Sequence, residues 1–92
     1  MFLNFLRKTI KYGKIEIIDY DKKRYVFGSS GEFCSIRLHK KNTKKKLFIN
    51  PELYVGEAYV EGDLTIEEGS LEIFISIITK NYKNFDKIIY HK

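Results

Sequence analysis

A run of alternating residues at 33–39, FCSIRLH, is the sequence feature that most constrains the fold. From its second residue on, apolar and polar side chains alternate, and this period of two is typical of a β-strand with one buried face. Two more β-rich runs precede it, KIEIIDY at 14–20 and RYVFG at 24–28. The polar residues 21–23 between those two runs indicate a hairpin turn. The sequence therefore predicts a small antiparallel sheet.

Helical patterns lie near both ends of the chain. Residues 2–11 place apolar side chains at helical spacing, and Gly13 can end that helix. Ser70 can cap the segment 71–82, whose isoleucines suit a helix or a strand, although its length favours a helix. Its helical stripe consists of Leu71, Phe74, Ile75, Ile78 and Tyr82, and leaves out Ile73 and Ile77. A helix that is apolar on more than one side is usually covered on more than one side.

The pattern between the sheet and the last helix is less regular. Residues 40–46, KKNTKKK, are polar and charged and predict a solvated turn or loop. Residues 50–52, NPE, form a helix start, with a capping side chain, a proline at the first helical position and an acid near the positive end of the dipole. Gly56 and Gly62 indicate a turn segment, and a short strand follows at 64–66. The expected fold class is α+β, with an N-terminal helix, a small antiparallel sheet, a Gly-rich turn segment and a C-terminal helix.

The composition fits one small domain that spans residues 1–92. The chain is 43% hydrophobic and 15% aromatic, which is enough for a real core in a domain of this size. Cys34 is the single cysteine, so no internal disulfide forms, and we expect it to act as a small core hydrophobe. The N-terminus lacks the features of a signal peptide, and no stretch approaches about 18 uncharged apolar residues. We therefore expect a cytoplasmic protein.

The segment 50–63, NPELYVGEAYVEGD, resembles the motif that closes the N-terminal domain of cyclopropane-fatty-acyl-phospholipid synthases. That motif is typically written DPEL-x-x-GEAY-x-x-G-D/W, and Asn50 here replaces the usual Asp. The positions in register are Pro51, Glu52, Leu53, Gly56, Glu57, Ala58, Tyr59, Gly62 and Asp63. Looser support comes from the Phe-Gly pair that ends residues 24–28, the strand at 33–39 and the apolar segment after the motif. The resemblance covers essentially the whole chain.

The resemblance implies a role in lipid methylation. Members of that family continue into a Rossmann-like domain, which binds S-adenosylmethionine and transfers a methylene unit to a cis double bond of a phospholipid acyl chain. The sequence reaches Lys92 without the Gly-rich strand-to-helix turn that holds such a cofactor. We therefore expect the catalytic methyltransferase domain to be absent and the chain to bind no cofactor by itself. Whether it is a fragment, a stand-alone protein or a subunit of a split enzyme stays open.

The expected function is that of a non-catalytic accessory module, which assists phospholipid engagement or docks the catalytic domain. Its partners would be a methyltransferase domain or subunit and an anionic phospholipid surface at the inner face of the membrane. The alternative is a stand-alone protein-interaction or dimerisation module without a lipid role, and a homodimer belongs to that alternative.

The motif supplies the candidate docking or structural residues, and no catalytic residue is predicted. The candidates are Pro51, Glu52, Gly56, Glu57, Tyr59, Gly62 and Asp63. Glu57 and Tyr59 also invite a catalytic interpretation, because further carboxylates lie nearby at Glu52, Glu61 and Asp63. Two carboxylates can divide acid and base roles between them when their surroundings differ. We favour a structural interpretation, in which Gly56 and Gly62 give tight backbone geometry, Tyr59 packs, and the acids cap or face water.

Five lysines in residues 40–46 are candidates for contact with anionic lipid. They are Lys40, Lys41, Lys44, Lys45 and Lys46. Each basic residue near an anionic membrane contributes about 1 kcal/mol of binding. A solvated turn in a lysine-rich chain is the favoured alternative. The amphipathic segment 2–11 is likewise either an interfacial helix or a helix packed on the sheet.

Metal and nucleic-acid sites find little support in the sequence. His39 and His91 have no cysteine partner at ligand spacing, so we expect no metal site. The net charge of +5 favours anionic partners, and Tyr25, Phe27 and Phe33 could imitate a platform on which bases stack. Those aromatics occupy core-spaced positions and arginine is scarce, so we do not expect nucleic-acid binding.

Overall fold

The computed structural model describes residues 2–81, in which four helices and four strands form an α+β domain. In chain order the elements are α1 (Phe2–Thr9), β1 (Gly13–Ile18), β2 (Arg24–Ser30), β3 (Phe33–Leu38), α2 (Thr43–Ile49), α3 (Pro51–Glu61), β4 (Leu64–Glu68) and α4 (Leu71–Lys80). The predicted fold class and the helix near each terminus are confirmed. Tyr82, which was predicted to continue the helical stripe, and His91, which was considered as a metal ligand, lie outside the described residues.

The sheet is mixed, so the predicted antiparallel sheet is wrong for one pair of strands. The strand order is β2-β1-β3-β4. β1 pairs antiparallel with β2 and β3 pairs antiparallel with β4, but β1 and β3 run parallel. The physical reason is the short link from β2 to β3, which crosses the beginning of β1 and places β3 on its other side.

Glycines make this crossing possible. A Cβ on Gly28, which has a φ of +82°, would lie 2.0 Å from the carbonyl oxygen of Gly13. Gly31 has a φ of +96°, and a Cβ there would lie 3.4 Å from the Gly13 Cα. The amide of Lys14 donates to the Glu32 carbonyl oxygen at 2.8 Å, which fixes the crossing chain on β1. Backbone segments can approach this closely because glycine carries no side chain and tolerates positive φ.

The helices cover one face of the sheet. Ile15 pairs with Phe27 on one side and with Cys34 on the other, and all three side chains are buried in the core. Buried residues from every helix join the same core: Leu6, Leu47, Val55, Ala58, Phe74 and Ile77. The domain is thus a layer of helices on a sheet, with one shared core.

Cys34 belongs to this core, as predicted, and burial raises the pKa of its thiol to about 11. The apolar side of α1 also faces the core, because Leu6 and the adjoining Ile10 are both buried. This placement supports the packed alternative for the N-terminal helix rather than the interfacial one.

The opposite face of the sheet is polar. The Glu16 carboxylate accepts a hydrogen bond from the Ser35 hydroxyl at 2.7 Å and from Arg24 at 3.3 Å. These bonds hold the pKa of Glu16 below its ordinary value, with the Ser35 bond as the largest cause. Arg37 pairs with Glu67 on the next strand at 3.3 Å. Because each of these pairs joins two neighbouring strands, side-chain contacts on this face connect the strands in addition to the backbone hydrogen bonds.

The predicted Gly-rich turn segment is wrong at Gly56, because residues 51–61 form helix α3. The predicted helix start is confirmed: the Asn50 side chain accepts from the Leu53 amide at 3.3 Å, and Pro51 is the first helical residue. Gly62 ends the helix in the left-handed region, with a φ of 82°. A single glycine weakens a helix by about 1 kcal/mol without breaking it, so Gly56 is absorbed into α3.

Two further helices differ in detail from the prediction. The predicted loop at 40–46 is helical from Thr43 on, because lysine and leucine favour helix and Leu47 is fully buried. Helix α4 is confirmed, and the Ser70 hydroxyl accepts from the Ile73 amide at 3.1 Å. Its buried face is rotated from the predicted stripe, however: Ile77 is buried and Ile75 is half exposed.

Candidate functional site

Helix α3, which carries most of the motif residues, has two unlike faces. Val55 and Ala58 are buried in the core, and Tyr54 packs against it. On the opposite side, the Leu53 side chain is 50% exposed and that of Val60 is 84% exposed. An apolar residue that is exposed singly needs no explanation, but two of them on one helix face do suggest a contact surface.

We call the outer stripe of Leu53, Gly56 and Val60 the α3 crest. These residues are spaced by three and four positions, which places them on the same side of a helix. Ile49, at the end of α2 and four residues before Leu53, is 67% exposed. Ile49 lies on α2 and is separated from the crest by Asn50, whose backbone is not helical.

Gly56 stands in the middle of the crest and serves no visible purpose inside the domain. Its φ is not positive, and among residues 2–81 a Cβ at this position would meet nothing within 4 Å beyond its chain neighbours and the backbone of its own helix. It is exposed and lies in the interior of an 11-residue helix. The predicted role of Gly56 in tight backbone geometry is therefore wrong, whereas the same prediction for Gly62 is confirmed by its left-handed φ.

Exposed carboxylates lie next to the crest. Glu57 and Glu61 are exposed on α3, and neither forms an ion pair within the part of the chain that the structure describes. They line a shallow groove at the junction of α2 and α3, together with Thr43, Lys46, Tyr54, Ala58 and Asp63. The groove has a volume of about 10 Å³, which is room for one water molecule.

The remaining motif residues have distinct positions. Pro51 and Glu52 form the first turn of α3, and Tyr59 is exposed rather than packed inside. Asp63 has a structural role, because its carbonyl oxygen accepts from the His39 amide at 2.9 Å and its carboxylate pairs with Lys40 at 3.2 Å. The motif is thus divided between support of the fold and an exposed surface.

The five candidate lysines do not form one free cluster. The Lys44 ammonium lies 2.6 Å from a carboxylate oxygen of Asp19, and this hydrogen bond raises the pKa of Lys44 above its ordinary value. Lys40 is paired with Asp63. Lys41, Lys45 and Lys46 are exposed. Within residues 2–81, these three lysines form no ion pair, unlike Lys40 and Lys44.

A second polar cluster, which no sequence pattern predicted, joins α4 to the start of β1. The Glu32 carboxylate accepts from Ser76 at 2.9 Å, from Lys80 at 3.2 Å and from the Tyr12 hydroxyl at 3.3 Å. The bond from Ser76 is the largest cause of the lowered pKa of Glu32. The bond to Tyr12 is the largest cause of the raised pKa of Lys80. These residues are far apart in sequence, so no local pattern could have revealed the cluster.

The described residues offer no other obvious site. Residues 2–81 contain no group of three or more His, Cys, Asp or Glu side chains placed to hold a metal ion. His39 is engaged with the Thr65 hydroxyl at 2.8 Å. No helix within the same residues is long and apolar enough to cross a membrane.

The fold and the α3 crest together define a small α+β domain that exposes one apolar helix face. The chain belongs to the family described as Domain of unknown function (DUF7884), which matches residues 2–89. No curated protein and no solved structure matches it.

Proposed function

We propose that this chain is the non-catalytic accessory domain of a cyclopropane-synthase-like methyltransferase, and that it docks the catalytic domain through α3. The observation that carries the proposal is the two-sided character of this helix. Its inner side, with Val55 and Ala58, anchors it in the core, while the α3 crest is bare. A helix held firmly on one side and apolar on the other is suited to contact a second domain.

The sequence motif supports the same proposal. The nine positions that match the synthase motif all lie on α3 or in the two residues that follow it. The exposed members include Leu53, Glu57 and Tyr59, so the motif contributes side chains to the surface as well as to the fold. The groove beside them has room for only about one water molecule, which is too small for a substrate pocket.

The experiment is to measure binding of the 92-residue chain to a cyclopropane synthase catalytic domain that lacks its own N-terminal domain. Binding of S-adenosylmethionine by that catalytic domain shows beforehand that it is folded. We expect saturable association by isothermal titration calorimetry and increased methylene transfer to unsaturated phospholipid vesicles. Absence of association at about 100 μM of both proteins, a free energy weaker than about 5.5 kcal/mol, would contradict the proposal.

Phospholipid engagement is a second candidate function, favoured by exposed lysines in α2 and just before it. Lys41, Lys45 and Lys46 are free to meet anionic headgroups, whereas Lys40 and Lys44 are tied to carboxylates. Attraction of this kind is worth about 1 kcal/mol per lysine and falls with salt.

Vesicle flotation tests this second candidate. A triple variant with Lys41, Lys45 and Lys46 changed to Glu should lose flotation with phosphatidylserine-containing vesicles. The matched control changes Lys11, Lys22 and Lys23, which are also exposed, so that the net charge changes equally. If both triple variants lose flotation to the same extent, only the overall charge matters and α2 is not the binding surface.

A further inference from the structure

The α3 crest is shaped for one kind of partner. Resting on the proposed function, we infer that it receives an apolar helix with basic flanking residues, supplied by the methyltransferase domain, and that this helix crosses α3 at Gly56.

Gly56 indicates a close crossing. Packed helices usually lie 8–10 Å apart, and small residues at the crossing point allow their backbones to come closer. The glycine weakens α3 by about 1 kcal/mol relative to alanine. No described residue outside α3 lies within 4 Å of a Cβ built at Gly56, so packing within residues 2–81 does not require a glycine there. A partner backbone at Gly56 accounts for it.

The neighbouring side chains give the contact its shape. Leu53 and Val60 stand three residues before and four residues after Gly56, so two exposed apolar side chains border a notch without a side chain. A row of side chains on another helix fits between them as ridges fit into grooves. A flat sheet or a loop would not present a row of side chains that fits between Leu53 and Val60 in this way.

The charge beside the crest specifies basic flanks on the partner. Glu57 and Glu61 are exposed next to the stripe, although the chain as a whole carries a net charge of +5. Lysine or arginine on the incoming helix would meet these carboxylates at the rim. Such pairs steer association and fix its orientation more than they add affinity.

The same carboxylates disfavour two other occupants. A second copy that crossed α3 about a two-fold axis at Gly56 would bring the two Glu57 side chains, each one residue from the axis, toward each other. Like charges brought together at an interface oppose association. An anionic membrane would also be repelled by Glu57 and Glu61 at this face. A basic, apolar helix is the occupant that satisfies all of these features.

The test measures binding of crest variants to the same catalytic domain. Gly56→Leu fills the notch and should weaken binding at least about 10-fold, which is about 1.4 kcal/mol. Leucine favours helix over glycine, so the variant should unfold at the same temperature as the wild type or higher. Val60→Lys should weaken binding similarly. Val26→Lys is the matched control, because Val26 is half exposed on β2, and it should leave binding unchanged.

The double variant Glu57→Lys, Glu61→Lys tests the charge argument. It should slow association and remove most of its dependence on ionic strength, while a Glu68→Lys control on β4 should not. If the wild type binds and the crest variants bind equally well, the inference is overturned, and docking of the catalytic domain stands but not through the α3 crest. If the wild type does not bind, the proposed function fails and the inference fails with it.

Two further outcomes identify a different occupant. Wild-type dimers that Gly56→Leu abolishes in sedimentation velocity, without any effect on methyltransferase binding, would assign the crest to a second copy. Vesicle flotation that Val60→Lys abolishes, again without an effect on that binding, would assign it to a membrane. Either result overturns the inference.

Discussion

The ammonium group of Lys44 lies 2.6 Å from the carboxylate of Asp19, so helix α2 is joined to the hairpin between β1 and β2. The Asp19 side chain is 1% exposed and that of Lys44 is 28% exposed. Asp19 also accepts a hydrogen bond from the Tyr20 amide at 2.8 Å. A lysine that the sequence offered as a candidate for lipid contact is thus occupied in holding the fold together.

Asp19→Ala should destabilise the domain by about 2–3 kcal/mol. Removal of one partner of a buried pair costs about 3–5 kcal/mol, and partial exposure of Lys44 reduces this figure because water can reach its ammonium. Urea unfolding followed by circular dichroism gives the measurement. Glu67→Gln breaks the more exposed pair with Arg37 and should cost less than about 1 kcal/mol. Equal losses of stability in Asp19→Ala and Glu67→Gln would contradict the conclusion that burial of Asp19 makes its ion pair the more important one.

Stability should fall in acid because Glu16 must become protonated. The pKa of Glu16 is lowered in the folded domain, first of all by the hydrogen bond from Ser35. A lowered pKa contributes stability above the unfolded value of about 4.3, and this contribution is lost as the pH falls through the folded pKa. Urea unfolding between pH 7 and pH 3 should show the decline. Ser35→Ala should make it shallower, and an unchanged slope in that variant would contradict the assignment.

The α+β class was predictable because local patterns report it. Alternation identified β3, and capping side chains identified the starts of α3 at Asn50 and of α4 at Ser70. Each of these signals depends on residues close together in the chain. They do not depend on contacts between distant parts of the chain, so the sequence alone indicates these elements correctly.

The mixed sheet and the site could not be predicted in the same way. Alternation shows that a strand has a buried face but does not show on which side of β1 the strand β3 will lie. The parallel pairing depends on the link between β2 and β3, where the Glu32 carbonyl oxygen accepts from the Lys14 amide, and these two residues are far apart in sequence. The exposed apolar face of α3 depends on which residues of this helix pack into the core, and that is decided by tertiary contacts. Val60 occupies a variable position of the motif, so no sequence signal singled it out.

Asn81 should be among the residues most sensitive to substitution. Its fully buried side chain accepts hydrogen bonds from the amides of Lys11 and Tyr12 at 2.8 and 2.9 Å, and donates to the carbonyls of Tyr12 and Ile77 at 2.8 and 2.7 Å. Asn81→Leu leaves these backbone groups without their partner, and each buried group left unsatisfied costs about 1–3 kcal/mol. We expect a loss of at least about 3 kcal/mol.

Chemical denaturation of the Asn81→Leu variant gives this loss directly. Hydrogen exchange at the Lys11 and Tyr12 amides should accelerate in parallel, which ties the effect to the contact itself. Asn42→Leu is the matched control, because Asn42 is exposed and its side chain makes no capping hydrogen bond; it should change stability by less than about 0.5 kcal/mol. Unaltered exchange at the two amides in Asn81→Leu would refute the proposed contact.

Alanine in place of glycine should have opposite effects at two positions. Gly56→Ala should stabilise the domain by up to about 1 kcal/mol, because alanine favours helix and its Cβ meets nothing within 4 Å. Gly28→Ala should destabilise it by more than about 2 kcal/mol, since φ is +82° there and the new Cβ would collide with the Gly13 carbonyl oxygen. Thermal unfolding of the two variants under identical conditions measures both effects. Stabilisation by Gly56→Ala would mean that the fold alone does not call for this glycine, which is what a contact made outside the domain requires. A loss of stability in Gly56→Ala would instead mean that Gly56 serves the fold, and a partner at the crest would no longer be needed to explain it.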